Sequence, residues 1–365
     1  MTAQLLVDLK CIYSNAKLIK SFTKRKLIAV LKANSYGHGI VPISQSVEEV
    51  ADFFAVANVD EALIIRSVSN KPILILAPVF SSEELRICYE SNFHITISNF
   101  SSLNFALNFA RKEKKPLKVH LKFDTGMNRL GFKARDFLDN PSSLIDKIKN
   151  PKLLEVRGVY THFPFPENTS FSLKQIDIFK SVLEKLNFTS PNVLIHAANS
   201  MATLNFPEAH FDAVRVGFLL YGVPPSKKWL QKFKKLGLKR ASSLKAQIIE
   251  VKPLARGEGV SYDLTWKAPI NSKVAVLEIG YADGILRSLS NKGWVKLKGR
   301  ECKIIGNVCM DYTCVLIPPE LEVEVGEWVE VWGENNPLEE IALAAKTIPY
   351  ELMTAISDRV ERRYI

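Results

Sequence analysis

The chain has 365 residues, 47% hydrophobic and 24% charged, ordinary proportions for a globular protein. They exclude collagen-like, disordered and disulfide-scaffold chains, and at roughly 150 residues per domain the length implies two or three domains. Lysine and arginine total 49 against 38 acids, a net charge of +11 that suits a nucleic-acid or membrane-surface partner without establishing one. The five cysteines, Cys11, Cys88, Cys302, Cys309 and Cys314, include no pair with zinc-knuckle or redox spacing. They are expected to be reduced. MTAQLLVDLK has no signal-peptide pattern, and no apolar run approaches ~18 residues, so a cytoplasmic protein without a membrane span is expected.

In chain order, Leu5, Val7 and Leu9 alternate with polar residues like a half-buried strand, and a helix follows through Ile12, Ala16 and Ile19. Eight short apolar runs come next: LIAVLK, FFAVAN, PILIL, HITI, KVHLKF, VRGVYTHF, VLIHAA and FDAVRV. Most are apolar on both faces, as strands of a buried parallel sheet are. The spacers are long enough for crossover helices, and ISQSVEEVADF and KQIDIFKSVLEKL have helical periodicity. Eight such units favour a (β/α)8 TIM-type barrel over a doubly wound sheet. Beyond residue 240 the runs KAQIIEV, KVAVLEI, WVKLK, CKII, TCVLI and WVEVW crowd together with Gly, Asn and Pro between them, the pattern of a smaller, mostly β domain with one helix at LEEIALAAK.

The expected division is a barrel over 9–235 and a β domain over 236–365 that includes the strand at 1–8. The segment between them holds Lys227, Lys228, Lys232, Lys234, Lys235, Lys239 and Arg240 with no acid. It reads as a solvated linker helix with Trp229 and Phe233 packed inward rather than a nucleic-acid or membrane contact.

Chemistry concentrates at strand ends, which form the active face of a barrel. Lys32 closes LIAVLK ahead of a Gly-rich turn, where apolar walls disfavour its charged form and free a nucleophilic amine. HLKFDTGMNRLGF contains a DTG, but no second one exists to make an aspartic-protease pair, so Asp124 reads as a turn residue beside Lys122 and Arg129. His162 ends another strand. Asn199, Ser200, Arg215 and Gly217 follow or end the last two strands, where barrels often bind phosphate. A lysine nucleophile with a phosphate cradle fits pyridoxal phosphate.

LKANSYGHG, HLKFDTGMNRLGF, THF, ANSMATL, FDAVRVGFLLYG, VSYDLTW, IGYADG, IGNVCMDYT and TIPYELMT resemble, in order, segments of bacterial alanine racemases. The resemblance spans nearly the whole chain. It implies racemisation of alanine, supplying D-alanine for peptidoglycan, in a homodimer whose sites combine one barrel with the partner's β domain. It implies that Lys32 holds pyridoxal phosphate and acts as one base, with Tyr262 of the other subunit as the opposite base. Arg215 would face the pyridine nitrogen, Tyr36, Ser200, Gly217, Phe218 and Tyr350 the phosphate, and His162 would support the tyrosine and arginine. Arg129 and Met310 would handle the substrate carboxylate. Lys122, often carbamylated in the family, Asp311 and the access-channel residue Tyr281 would be supporting. No nucleic acid or membrane partner is implied.

The sequence departs from the usual pattern at Asp263, where glycine is common, at Trp266, at Met201 and along Pro164–Phe165–Pro166. A serine or broad-spectrum racemase on the same scaffold is the alternative, since one methylene in a pocket discriminates by only ~1–3 kcal/mol. A decarboxylase of related architecture would place an acid where Arg215 stands.

Overall fold

A computed structural model describes residues 2–188 and 190–365. They form two compact units, one of residues 16–35 and 43–217, the other of residues 1–15, 36–42 and 218–365. The eight apolar runs of the first unit are its strands. After β1 (Ala3–Val7), which pairs in the second unit, come β2 (Lys26–Val30), β3 (Phe53–Val56), β4 (Ile73–Ile75), β5 (His94–Ile97), β6 (Leu117–Asp124), the two-residue β7 (Phe132–Lys133), β8 (Leu154–Tyr160), β9 (Leu194–His196) and β10 (Ala213–Val216). The parallel order β5-β4-β3-β2-β10-β9-β8-β6 closes through a β5–β6 pairing. This is the TIM barrel expected, with helices in the crossovers. Closure pairs each of these eight strands on both sides and buries both faces, which is why most of these runs are predominantly apolar.

The barrel interior is not wholly apolar. His94, His120, Tyr160, His196 and Arg215 are buried within it. Between Val119 and His120 the β6–β8 register shifts, so that Val119 pairs Val156 while His120 pairs Gly158. Arg157 is the extra residue of this bulge. Gly158 leaves room for the His120 ring: a Cβ there would lie 2.3 Å from its Nδ1.

The second unit is mostly β, as expected. It contains β11 (Ser242–Leu254), the short hairpin β12 (Gly259–Val260) and β13 (Trp266–Lys267), β14 (Ser272–Leu277), β15 (Trp294–Leu297), β16 (Arg300–Lys303), β17 (Thr313–Ile317), β18 (Trp328–Trp332) and β19 (Glu361–Tyr364). β1 lies between β11 and β19, antiparallel to the first and parallel to the second. The alternation stops at Val7, however, and Leu9 is not part of the strand. Asp8 ends it by capping the helix Leu9–Thr23, its carboxylate accepting from the Cys11 N–H at 2.8 Å. In that helix Ile12, Ala16 and Ile19 are buried.

In the basic stretch at 227–240, residues 227–236 are helical, with Trp229 and Phe233 buried. Lys227 pairs with Glu340, and Arg240 grips the buried Glu339 carboxylate through one nitrogen at 2.6 and 2.7 Å. Part of its charge is therefore internal pairing. Cys11, Cys88, Cys302, Cys309 and Cys314 are free thiols. Among the described residues no helix is long and apolar enough to cross a membrane.

The tight fit at His120 gives the first prediction. Gly158→Ala overpacks the barrel interior and is expected to cost about 1–3 kcal/mol, measured as a lower urea midpoint. An unchanged midpoint would show that the ring moves aside freely.

Candidate active site

Lys32 lies two residues past the end of β2, at the carboxyl-terminal mouth of the barrel. The backbone then turns left-handed through four consecutive non-glycine residues: φ is 53° at Ala33, 51° at Asn34, 53° at Ser35 and 53° at Tyr36. Each such residue costs roughly 1–2 kcal/mol, so something must hold the turn. Glu61 does much of this, accepting from the Ala33 N–H at 2.6 Å and the Ala57 N–H at 2.7 Å. The Ser35 N–H reaches the Leu31 carbonyl at 2.9 Å. Burial lowers the pKa of the Lys32 amine, Arg129 lowers it further, and Glu61 partly opposes them.

Arg215 on β10 is buried, and among the described residues no carboxylate pairs with it. Its Nη1 donates to His196 Nδ1 at 2.9 Å and the His196 carbonyl at 3.1 Å. Its Nη2 reaches the carbonyls of Thr161 at 2.8 Å and Ala197 at 3.2 Å, and His162 Nδ1 at 3.2 Å. These acceptors occupy both terminal nitrogens and leave the Nε–H uncommitted. The guanidinium also stacks over Tyr160, 5.0 Å from the ring centroid. Burial pushes its pKa down only to about 10, so it remains a cation at neutral pH. Burial first and Arg215 next hold both His162 and His196 well below the ordinary histidine value.

Lys122 on β6 lies 5.4 Å from the centroid of the same Tyr160 ring. Burial, then Arg215 and Arg129, push its pKa down to about 8. Asp124 is the turn residue expected, its Oδ1 accepting from the N–H groups of Gly126, Met127 and Asn128 at 2.9, 2.8 and 3.1 Å. Arg129 in that loop is exposed. Asn199 caps the helix Ser200–Asn205 by accepting from the Ala202 N–H at 3.0 Å, and the Ser200 hydroxyl accepts from the Gly217 N–H at 3.2 Å. Lys32, Lys122, Arg129, His162 and Arg215 thus form one electrostatic cluster in the barrel, and Ser200 and Gly217 meet beside β10.

The second unit holds the other expected residues in two groups. Tyr36 lies 6.2 Å from Tyr350 between ring centroids, and Tyr350 stacks on Phe218 at 3.8 Å. Burial raises the pKa of both tyrosines, so their hydroxyls stay protonated. The other group is exposed. Tyr262, 71% accessible, heads a short turn in which Ser261, Asp263 and Leu264 all have positive φ. Asn307 holds that turn, donating to the Tyr262 carbonyl at 2.9 Å and the Asp263 carboxylate at 3.1 Å. Asp263 has φ +62°, the conformation that favours glycine, and this bond helps a side chain occupy it. The segment from Asn307 continues to Met310, whose carbonyl accepts from Ala282 at 3.0 Å, next to Tyr281. Asp311 is bonded to Arg359 at 2.7 Å.

Sequence reasoning singled out His162 but passed over His94, His120, His196, Tyr160 and Glu61. Each sits on a different element, and no local pattern joins them.

The alanine racemase N-terminal domain family matches residues 7–225, and the alanine racemase C-terminal domain family matches residues 241–364. A curated alanine racemase from Methanococcus maripaludis is 37% identical over 98% of this chain and 97% of its own length. An alanine racemase structure from Streptomyces lavendulae superposes with a TM-score of 0.91 at 31% identity, covering 100% of this chain and 97% of that one. One from Bartonella henselae, with covalently bound pyridoxal phosphate, has a TM-score of 0.88 at 29% identity and covers 100% of both chains.

The Lys122 amine generates a prediction with a definite sign. Its pKa is about 8 in the folded chain against an ordinary 10.5, so the unfolded chain binds the extra proton between those values. The penalty is fully present below pH 8 and is relieved as pH rises toward 10.5, by up to about 3 kcal/mol. In CO2-free buffer, the melting temperature of the wild type should gain on that of Lys122→Met between pH 7.5 and 9.5. A constant gap would contradict the shift.

Proposed function

The chain belongs to the alanine racemase family, and on that footing we propose that it interconverts L- and D-alanine using pyridoxal phosphate, as a homodimer with Lys32 and Tyr262 as its two bases. The observation that carries this reading is Lys32, an amine of lowered pKa at a barrel mouth that also holds the carboxylate-free cation Arg215.

The donor set fits the cofactor. Lys32 would hold it covalently. The Ser200 hydroxyl accepts from the Gly217 N–H and so keeps its own hydrogen to offer the phosphate; by the resemblance Gly217, Tyr36 and Tyr350 would also take part in holding it. Phe218 would pack alongside, and Arg215 would offer its uncommitted Nε–H to the ring nitrogen. When bound, pyridoxal phosphate supplies the electron sink that acidifies the α-hydrogen of an amino acid.

Racemisation needs a proton removed on one face and returned on the other, and two bases do this. Lys32 Nζ takes or gives the proton on one face. Tyr262 of the other subunit does so on the opposite face. Arg215 donates a hydrogen bond but does not surrender its proton, since its pKa stays at about 10. His162 supports Arg215 through Nδ1 as a neutral imidazole. Arg129 and the Met310 backbone N–H would hold the substrate carboxylate. Lys122, with a pKa near 8, has enough free amine to take up carbon dioxide; the carbamate would set an anion beside Arg215 and Arg129. Asp311 and Tyr281 would shape access.

The exposure of Tyr262, and of Met310 at 52%, supports the homodimer. Side chains of this size are left uncovered on a segment whose backbone is well tied down. The D-alanine product suits peptidoglycan synthesis.

Chiral chromatography after incubation with L-alanine and pyridoxal phosphate tests the activity, with L-serine and L-lysine ranking the substrates. Lys32→Ala should abolish D-alanine formation, and Tyr262→Phe should reduce it by about 10²–10⁴-fold. If the sites are shared, mixing and reassembling the two variants restores about a quarter of wild-type activity, because half the dimers are mixed and each has one intact site. No restoration would place Lys32 and Tyr262 of each site in one subunit. No D-alanine from wild-type holoenzyme would overturn the racemase reading.

A further inference from the structure

The mouth of the barrel opposite Lys32 has features that racemisation leaves unused. At the amino-terminal ends of β2, β5, β6 and β9 lies a cavity of about 870 Å³. Its lining contains Lys24, Arg25, Lys26, Lys118 and Arg157 against one carboxylate, Asp212, which accepts from the Ile195 N–H at 2.8 Å. Arg157 is paired with Glu155 at 2.6 Å, and Lys118 donates to Asn92 Oδ1 at 2.5 Å. Among the described residues Lys24, Arg25, Lys26 and Lys118 have no carboxylate partner, so the cavity carries uncompensated positive charge. Phe53 and His94 also line it.

His94 is the outer end of a hydrogen-bonded chain that crosses the barrel. Its Nδ1 lies 3.0 Å from His120 Nε2, His120 Nδ1 lies 2.9 Å from His196 Nε2, and His196 Nδ1 lies 2.9 Å from Arg215 Nη1. Arginine can only donate. His196 therefore accepts on Nδ1 and carries its proton on Nε2. It donates to His120 Nδ1, and His120 donates from Nε2 to His94 Nδ1. His94 is left with its proton on Nε2 and no partner for it among the described residues. One cation at the active-site mouth thus fixes three tautomers and presents an N–H donor at the other mouth. Burial, then Lys118 and Arg157, push the His94 pKa down to about 3, consistent with a neutral donor.

We propose that this cavity binds a small polyvalent anion of the phosphate type, held by Lys24, Lys26 and Lys118 and by the Nε2–H of His94. An N–H donor ringed by unpaired cations is complementary to phosphate oxygens and repels metal ions. The site lies wholly within the barrel unit and at the opposite mouth from Lys32. It does not depend on the identity of the amino-acid substrate.

The test is calorimetric titration of the holoenzyme with inorganic pyrophosphate at low salt, with the cofactor absorbance followed in parallel. The wild type should bind one pyrophosphate per chain without a change in that absorbance. Lys26→Glu/Lys118→Glu should weaken binding at least about tenfold. His94→Asn keeps an acceptor near the Nδ1 position for His120 but removes the Nε2–H, and should weaken binding several-fold with every lysine in place. Lys234→Glu/Lys235→Glu, the same charge change elsewhere, should leave affinity unaltered. No binding to the wild type, equal losses in both charge-reversal variants, or pyrophosphate binding that merely displaces the cofactor would overturn the site. Unchanged affinity in His94→Asn would remove the histidine from it.

Discussion

Arg215 is solvated inside the barrel by three carbonyl oxygens and two imidazole nitrogens, and among the described residues no carboxylate pairs with it. A buried guanidinium needs its hydrogens satisfied, and ligands that are neutral acceptors leave its full charge to act on the surroundings. That charge contributes to keeping His162, His196 and His120 neutral and to lowering the pKa of Lys122. Burial is the larger cause for all three histidines, and the Arg215 charge adds to it. Tyr160 completes the arrangement from the side, with one ring beneath both Arg215 and Lys122 and its hydroxyl 2.9 Å from Thr96.

Backbone strain marks the two residues assigned as bases. Lys32 precedes four left-handed residues, and Tyr262 lies between Ser261 and Asp263, both at positive φ. Such conformations persist only where the surroundings over-determine them. The means are similar in both places: a polar side chain from a distant segment bonds the turn directly. Glu61 reaches Ala33 across 28 residues, and Asn307 reaches Tyr262 across 45. In each case a side-chain contact between distant segments, rather than local propensity, fixes the direction in which the functional residue leaves the backbone.

This explains what could be read in the sequence. Barrel strands are apolar on both faces because both faces are buried, so HITI and FDAVRV declared themselves. Lys32, His162 and Arg215 were visible because they end or nearly end such runs. The left-handed turn was not, because Ala33, Asn34, Ser35 and Tyr36 contain no glycine to announce it. Neither was the histidine chain, since His94, His120 and His196 are single residues on β5, β6 and β9 and meet only when the sheet closes. Leu9 misled for a local reason: Asp8 caps a helix, and the apolar alternation ran one step past the true end of the strand. Asp263 stood out as a departure from a glycine position, and its carboxylate bond to Asn307 is what supports it there.

The polarity of the histidine chain follows from the chemistry of residue 215 alone. An arginine forces every imidazole to accept on Nδ1 and donate from Nε2, so the far end is a donor. A carboxylate at the same point would accept instead, reverse each tautomer in turn, and leave His94 with a lone pair toward the cavity. Gly158 has a part in this, because the room it leaves permits His120 to lie within 3.0 Å of both neighbours and pass the polarity on. The character of one barrel mouth is therefore tied to a single donor at the other, through bonds whose direction none of the intervening residues can choose for itself.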